Sequence, residues 1–313
     1  MSQKKRRRKY ARQHRNMIGT IITVVVLIGM TAGGIGWMNL RASGTRKKDT
    51  SPPPKAIEIH NTKKEDSRTD ALADQDEDEN GQQEAAPDRS TFAAVPGQAA
   101  GTYEQTDEKV VYLTLDDGPS ENTSKVLEIL DRYQAKATFF ITNQNPEYAH
   151  LIKEAYDKGH TIGLHTYSHD YQTVYASEDA YFSDLEAIGK VAEQQIGYVP
   201  CFIRFPGGSS NTISANYTSG IMTTLAREVQ TRGYQYYDWN CSSGDGSVQP
   251  AENLIANAKN CSENNIVLLS HDANGKETTI EALPAIIEYY QSQGYVFKAL
   301  DRESYAPHHG INN

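Results

Sequence analysis

Val110-Val111-Tyr112-Leu113-Thr114-Leu115-Asp116-Asp117-Gly118-Pro119 is the stretch on which the reading of this chain turns. Its first six residues are β-branched, aromatic or aliphatic and of strand length, and two carboxylates stand where that strand ends. Adjacent side chains of a regular strand point to opposite faces, so both aspartates serve one site only if the strand is distorted just there. Gly118-Pro119 supplies a turn at that place. One Asp ahead of an amphipathic stretch is an ordinary helix cap, and a helix beginning near Ser120-Glu121 offers that role. Two consecutive aspartates at a buried strand end repel each other, and a bound cation would relieve that repulsion.

Two further fragments belong with the first. His165-Thr166-Tyr167-Ser168-His169 comes directly after Gly159-His160-Thr161-Ile162-Gly163-Leu164, a short apolar run between glycines that reads as a buried strand. Imidazoles four residues apart reach one ion if the segment turns once. Taken alone, the pair reads equally as capping or core histidines. Leu269-Ser270-His271 ends the continuous apolar run Ile266-Val267-Leu268-Leu269, so His271 stands at the same kind of strand end as Asp116 and His165. In parallel α/β architectures, functional residues gather at the carboxyl ends of strands. Two imidazoles and one carboxylate leave positions on a metal open for water and substrate.

Strand and helix patterns alternate through the rest of this region. Helices are expected over 121–133, 146–158, 177–196, 219–231, 252–261 and 278–291. Strands are expected over 137–141, 201–203, 234–240, 265–270 and 295–298. Repeated βα units imply a mostly parallel sheet or barrel around one core, within about 200 residues.

In this order the fragments resemble the polysaccharide deacetylase family, the NodB-homology domain of carbohydrate esterase family four, over roughly residues 107–305. Thr114 to Pro119 is similar to the first family motif, with Leu115 where Phe is more usual. His165-Thr166-x-x-His169 resembles the second, Arg204-Phe205-Pro206-Gly207-Gly208 the third and Leu269-Ser270-His271 the fifth. The fourth, an Asp-Trp pair, has two candidates. Asp245 lies beyond the expected strand 234–240 but is followed by Gly246, whereas Asp238-Trp239 keeps the pair further upstream. Asp245 is preferred for its position.

The resemblance implies an α/β fold, a distorted (β/α)7 barrel. It implies one divalent metal on Asp117, His165 and His169, Zn²⁺ in the first place, with Co²⁺ or Fe²⁺ accepted by the same ligands. Asp116 would be the base with Arg204 paired to it, and His271 the general acid with Asp245 keeping it charged. A backbone N–H at Gly207 would face the oxyanion, and Trp239 and Leu269 would wall the acetyl and sugar pocket. Each of the last two also reads as plain core.

The first third of the chain differs in kind. Residues 1–15 hold eight of the 31 basic groups and no acidic one, and residues 16–40 carry no charge at all. That apolar length exceeds the roughly 20 residues needed to span a bilayer. A basic flank ahead of it keeps the N-terminus cytoplasmic and exports the remainder of the chain. A retained signal anchor is therefore expected, in preference to a cleaved signal peptide, since there is no clear small-x-small cleavage site after a short apolar core. Residues 41–106, with Pro52-Pro53-Pro54 and the acidic run 74–79, read as a disordered polar linker ahead of a catalytic domain over 107–305 and a tail over 306–313.

The chain carries a net charge of −9 despite its basic N-terminus, which argues against a nucleic-acid partner and leaves a neutral or amine-bearing glycan acceptable. Three cysteines cannot all pair within one chain. Cys241 and Cys261, on a strand and the helix after it, are neighbours that an exported location permits to bridge. The expected function is removal of N-acetyl groups from amino sugars of a cell-wall glycan, foremost N-acetylglucosamine of peptidoglycan, by an enzyme held at the cell membrane. The alternatives are a deacetylase of chitin oligomers, xylan acetyl esters or muramic acid, with 209–218 among the loops that decide, or a catalytically silent wall-binding module.

Overall fold

The computed structural model describes residues 89–313; the basic segment 1–15, the apolar segment 16–40 and the linker up to residue 88 lie outside the described residues. Among the described residues, no helix is long and apolar enough to cross a membrane. The elements run β1 (Val110–Asp116), α1 (Thr123–Arg132), β2 (Ala137–Ile141), α2 (His150–Asp157), β3 (Thr161–Leu164), α3 (Tyr171–Val174), α4 (Glu178–Ile196) and β4 (Phe202–Ile203). They continue with α5 (Ile221–Thr231), β5 (Gln235–Tyr236), β6 (Cys241–Ser242), α6 (Ala251–Ala258), β7 (Asn265–His271), α7 (Glu277–Ser292) and β8 (Val296–Phe297).

The strands are parallel, in the order β5-β4-β3-β2-β1-β7-β6, with β8 beside the first residues of β1. This is a parallel half-barrel α/β fold and fits the expected distorted (β/α)7 barrel. β1 has no polar alternation because both its faces are covered. Val111, Leu113 and Leu115 face the helices, whereas Val110 and Tyr112 join Phe140, Phe202, Tyr237 and Val267 in the other core cluster, inside the barrel. The two-residue period then carries Thr114 and Asp116 up that interior face to its mouth. Ser177 caps α4 by accepting the Ala180 N–H at 3.0 Å, and Gly197 ends that helix at φ 86°.

Three expectations are corrected. The stretch 146–158 is a 3₁₀ turn over Pro146–Tyr148 and then α2, not one helix. Of the single strand expected over 234–240 only β5, Gln235–Tyr236, is formed, and the next strand, β6, begins at Cys241 on the opposite edge of the sheet. Tyr237 N–H still donates to Ile203 O at 2.9 Å, but Asn240 N–H donates to Val267 O and the Asn240 side chain accepts from Val267 N–H at 2.7 Å. That amide side chain takes the place of a ladder partner as the chain crosses the barrel seam.

Third, residues 89–106 belong to the folded domain rather than to the linker. Arg89 donates to Tyr156 O and His160 O at 2.8 and 2.9 Å, Ala93 bridges Pro200, and Arg302 donates to the carbonyls of Thr91, Ala93 and Ala99. The segment also packs Phe92, Ala94 and Ala100 against the inner core cluster, and much of its attachment runs through backbone groups, which composition does not reveal. Cys241 and Cys261 form a disulfide, and Cys201 is free and buried.

Candidate active site

Asp116 ends β1 on the interior face, and Asp117 departs from the strand with φ 70°. That left-handed backbone is the distortion two adjacent carboxylates need to reach one site. Neither aspartate caps a helix, because α1 starts three residues past Ser120 with Asn122 at its cap position. His165 comes directly after β3 and its Nδ1–H donates to Arg204 O at 2.7 Å, leaving Nε2 to face Asp117. His169, at φ 52°, brings its Nε2 to 3.2 Å from Asp117 Oδ1, and His165 Nε2 lies 3.5 Å from the same oxygen.

These three residues suit a metal. One donor atom from each lies within 4.8 Å of the others, and Asp117 Oδ1 is buried without a hydrogen-bond partner. Burial also lowers the His165 pKa, favouring the neutral imidazole that ligates. The loop between the histidines is pinned by Asp184 of α4, which accepts from Tyr167 N–H, Ser168 N–H and the Ser168 hydroxyl at 2.6 to 3.1 Å.

Arg204, fully buried past the end of β4, is spent on four partners. Its Nη1 donates to Asp116 Oδ1 at 2.8 Å and Thr114 Oγ1 at 2.7 Å, its Nε to Tyr237 O at 2.8 Å and its Nη2 to Asp238 O at 3.0 Å. The Asp116 carboxylate thereby faces a fixed positive charge. Across the sheet, His271 Nδ1–H donates to Asp245 Oδ1 at 2.8 Å, while Asp245 Oδ2 accepts from His271 N–H and the Thr279 hydroxyl at 2.7 and 2.8 Å. Burial works against a charged His271, but the Asp245 hydrogen bond and charge outweigh it, and the imidazole pKa is raised to about 9. Burial likewise opposes ionised Asp245, and the hydrogen bonds from His271 and Thr279 still hold its carboxyl below the usual range.

The two candidates for the fourth motif therefore separate. Asp245 faces His271, whereas the Asp238 carboxylate accepts from Ser209 and from the His309 N–H. A cavity of about 370 Å³ is lined by Asp116, Asp117, His165, His169, Tyr171, Gly207, Trp239, Gly246, Leu269 and His271. Arg204 and Asp245 stand behind Asp116 and His271. Gly207, at φ 74°, leaves no room for a side chain, since an added Cβ would lie 2.6 Å from the Tyr171 hydroxyl. Gly246, where a tryptophan was expected, lies exposed at the rim.

Sequence reasoning missed Tyr171, Thr279 and Asp184. Asp184 carried a signal, an acidic residue beside Phe182 and Leu185 on the buried stripe of α4. Tyr171 carried none beyond its place two positions after His169, among nineteen tyrosines.

A protein-family model described as polysaccharide deacetylase matches residues 103–223. The peptidoglycan-N-acetylglucosamine deacetylase of Bacillus cereus is 30% identical over 220 residues, which cover 67% of this chain and 76% of that protein. A bifunctional xylanase/deacetylase of Pseudobutyrivibrio xylanivorans is 31% identical over 204 residues, 64% of this chain and 31% of that longer protein. Among solved structures, the catalytic domain of peptidoglycan N-acetylglucosamine deacetylase from Eubacterium rectale is 42% identical and superposes with a TM-score of 0.66 over 69% of this chain and 99% of that one. With these motifs on one half-barrel and the Bacillus cereus and Eubacterium rectale proteins matched over most of their length, the chain belongs to the polysaccharide deacetylase family.

Proposed function

We propose that this protein is a metal-dependent deacetylase that hydrolyses N-acetyl groups of N-acetylglucosamine in peptidoglycan, held at the outer face of the cell membrane by the segment 16–40. The observation that carries the reaction is the placing of Asp116 and His271 on adjacent strands, facing one cavity with the Asp117-His165-His169 cluster. A divalent ion on that cluster would supply Lewis acidity, polarising an amide carbonyl and making water a better nucleophile at neutral pH.

The chain's own groups account for the proton transfers. Asp116, oriented by Arg204, takes the proton of the attacking water. An amine is a poor leaving group until protonated, and His271, with a pKa of about 9, is charged at neutral pH and gives its Nε2 proton to the departing nitrogen. Asp245 holds Nδ1–H throughout, which fixes the ring and keeps it cationic. The backbone N–H at Gly207 is the proposed donor to the developing oxyanion, and Trp239 and Leu269 form walls for the sugar ring and acetyl methyl. The activities for which the Bacillus cereus and Eubacterium rectale relatives are named support the choice of glycan.

The test is acetate release by the full chain, metal-stripped and resupplied with Zn²⁺ or Co²⁺, from peptidoglycan, N-acetylglucosamine oligomers and acetylated xylan. Metal-restored release from the amino-sugar substrates is expected. Release from xylan alone would overturn the substrate, and none from any of them would favour the silent module.

A further inference from the structure

Asp238, the rival for the fourth motif, has a different role. It is 1% exposed and sits where the chain turns across the seam after β5. Its Oδ1 accepts from Ser209 N–H at 2.8 Å, and its Oδ2 accepts from the Ser209 hydroxyl at 2.5 Å and from His309 N–H at 2.8 Å. His309 continues the cluster. Its Nε2–H donates to Trp239 O at 2.6 Å, and its ring stands edge-on to the indole at 4.8 Å. With that proton on Nε2, Nδ1 accepts from the Ser210 hydroxyl at 3.2 Å, and Asn312 Nδ2 donates to Ser210 O at 2.9 Å.

Part of this is edge protection. β5 is the last strand of the sheet, and an unpaired edge needs a partner. Asp238 N–H donates to Pro307 O at 3.0 Å, and His308 stacks on Tyr236 at 3.6 Å. Backbone pairing alone would meet that need, yet the His309 side chain reaches past the edge to Trp239, which lines the cavity, and to Ser210, two residues beyond the Gly207-Gly208 turn. The cluster is not a nucleophile with its base. His309 Nε2 is spent on a carbonyl, and Nδ1 lies 4.0 Å from the nearest Asp238 oxygen.

We propose that residues 306–312, through His309 and Asp238, brace Trp239 and the Gly207-Gly208 turn against each other and so set the width of the substrate cavity. A Cβ on Gly208 would meet Asp238 Oδ1 and the Trp239 ring, each at 3.0 Å, so turn and indole are in close register and a shift of one is passed to the other. Trp239 and Gly207 both line the cavity that holds the catalytic groups. His309 is a positioning residue that touches none of them. Its effect on turnover rests on the proposed function, in which the indole receives a sugar ring. Loosening the brace weakens glycan binding and leaves the chemistry at Asp116 and His271 intact.

The chain has two tryptophans, so Trp37→Phe in the full chain makes Trp239 the sole tryptophan fluorophore. In that background, His309→Ala and His309→Gln are compared by steady-state kinetics on N-acetylglucosamine oligomers, by acrylamide quenching of Trp239 and by Co²⁺ binding. His309→Ala is expected to raise KM about tenfold with kcat held within about twofold, to increase quenching and to leave Co²⁺ binding unchanged. His309→Gln, which can again donate to Trp239 O, is expected to recover most of the KM. Unchanged KM, or a fall in kcat at constant KM, overturns the proposal. Should His309→Ala fail to fold, His309→Phe keeps the ring beside Trp239 without the donor and is judged by the same readouts. If the parent releases acetate from no glycan, the functional reading has failed and quenching alone decides the brace. Increased quenching then sustains it, and unchanged quenching overturns it.

Discussion

Asp116 and His271 are register partners on β1 and β7, so their side chains leave the same face of the sheet side by side and enter one cavity. Each is backed by an opposite charge, Arg204 at 2.8 Å from Asp116 and Asp245 at 2.8 Å from His271. The spacing of the two residues is fixed by the strands that carry them, because the ladder between them is continuous from Val110 and Asn265 onward.

Asp116→Asn preserves shape and the Arg204 contact but removes the proton acceptor. It is expected to lower kcat by about 10² to 10⁴ with little change in KM. Bound metal, measured by elemental analysis after dialysis, is expected to equal that of the parent.

Metal dependence is checked separately. Chelation is expected to abolish acetate release and readdition of Zn²⁺ or Co²⁺ to restore it. His165→Ala is expected to lose the bound metal, since it removes a buried ligand whose Nδ1 is already committed to Arg204 O. Metal retained at full stoichiometry in that variant would remove His165 from the ligand set.

The His271 pKa is raised to about 9, so its proton is present at neutral pH and lost as pH rises through that value. The stability it contributes by pairing with Asp245 is likewise complete below the unfolded value near 6.5 and fades as pH passes about 9. Asp245→Asn removes the partner charge. The alkaline limb of the kcat profile is then expected to move down by at least about one unit. A limb that stays in place would show that Asp245 does not hold the proton.

Cys241 and Cys261 are 20 residues apart in sequence, a loop whose closure restricts the unfolded chain by about 3 kcal/mol in the entropic account. The double substitution to Ser is expected to lower the urea midpoint accordingly while the folded fraction keeps its kcat. The bridge ties β6 to the segment just past the end of α6, and neither cysteine lines the cavity.

Burial decides how much of this is legible in the sequence. β1, β3 and β7 are covered on both faces, so each reads as an apolar run, and the first polar residues beyond it are the functional ones. Asp116, Asp117, His165 and His271 stand out in that way. The seam is not legible, because Asn240 replaces ladder bonds with its own amide and no glycine or proline within 234–240 marks the crossing. Residues 89–106 and 306–313 read as linker and tail, since their attachment is made mostly through backbone groups and polar side chains that composition does not register. In the sequence, only its place beyond a strand favours Asp245 over Asp238. Their separation needs the His271 and Ser209 hydrogen bonds.

Arg204 holds Asp116 and Thr114 on β1, the carbonyls of Tyr237 and Asp238 beside the indole, and through its own carbonyl the His165 ring. One residue, through its side chain and its own carbonyl, thus links Asp116, His165 and the backbone at Tyr237 and Asp238. Substitutions at Asp116 and Arg204 will therefore not combine as independent free energies, because both alter the same 2.8 Å contact.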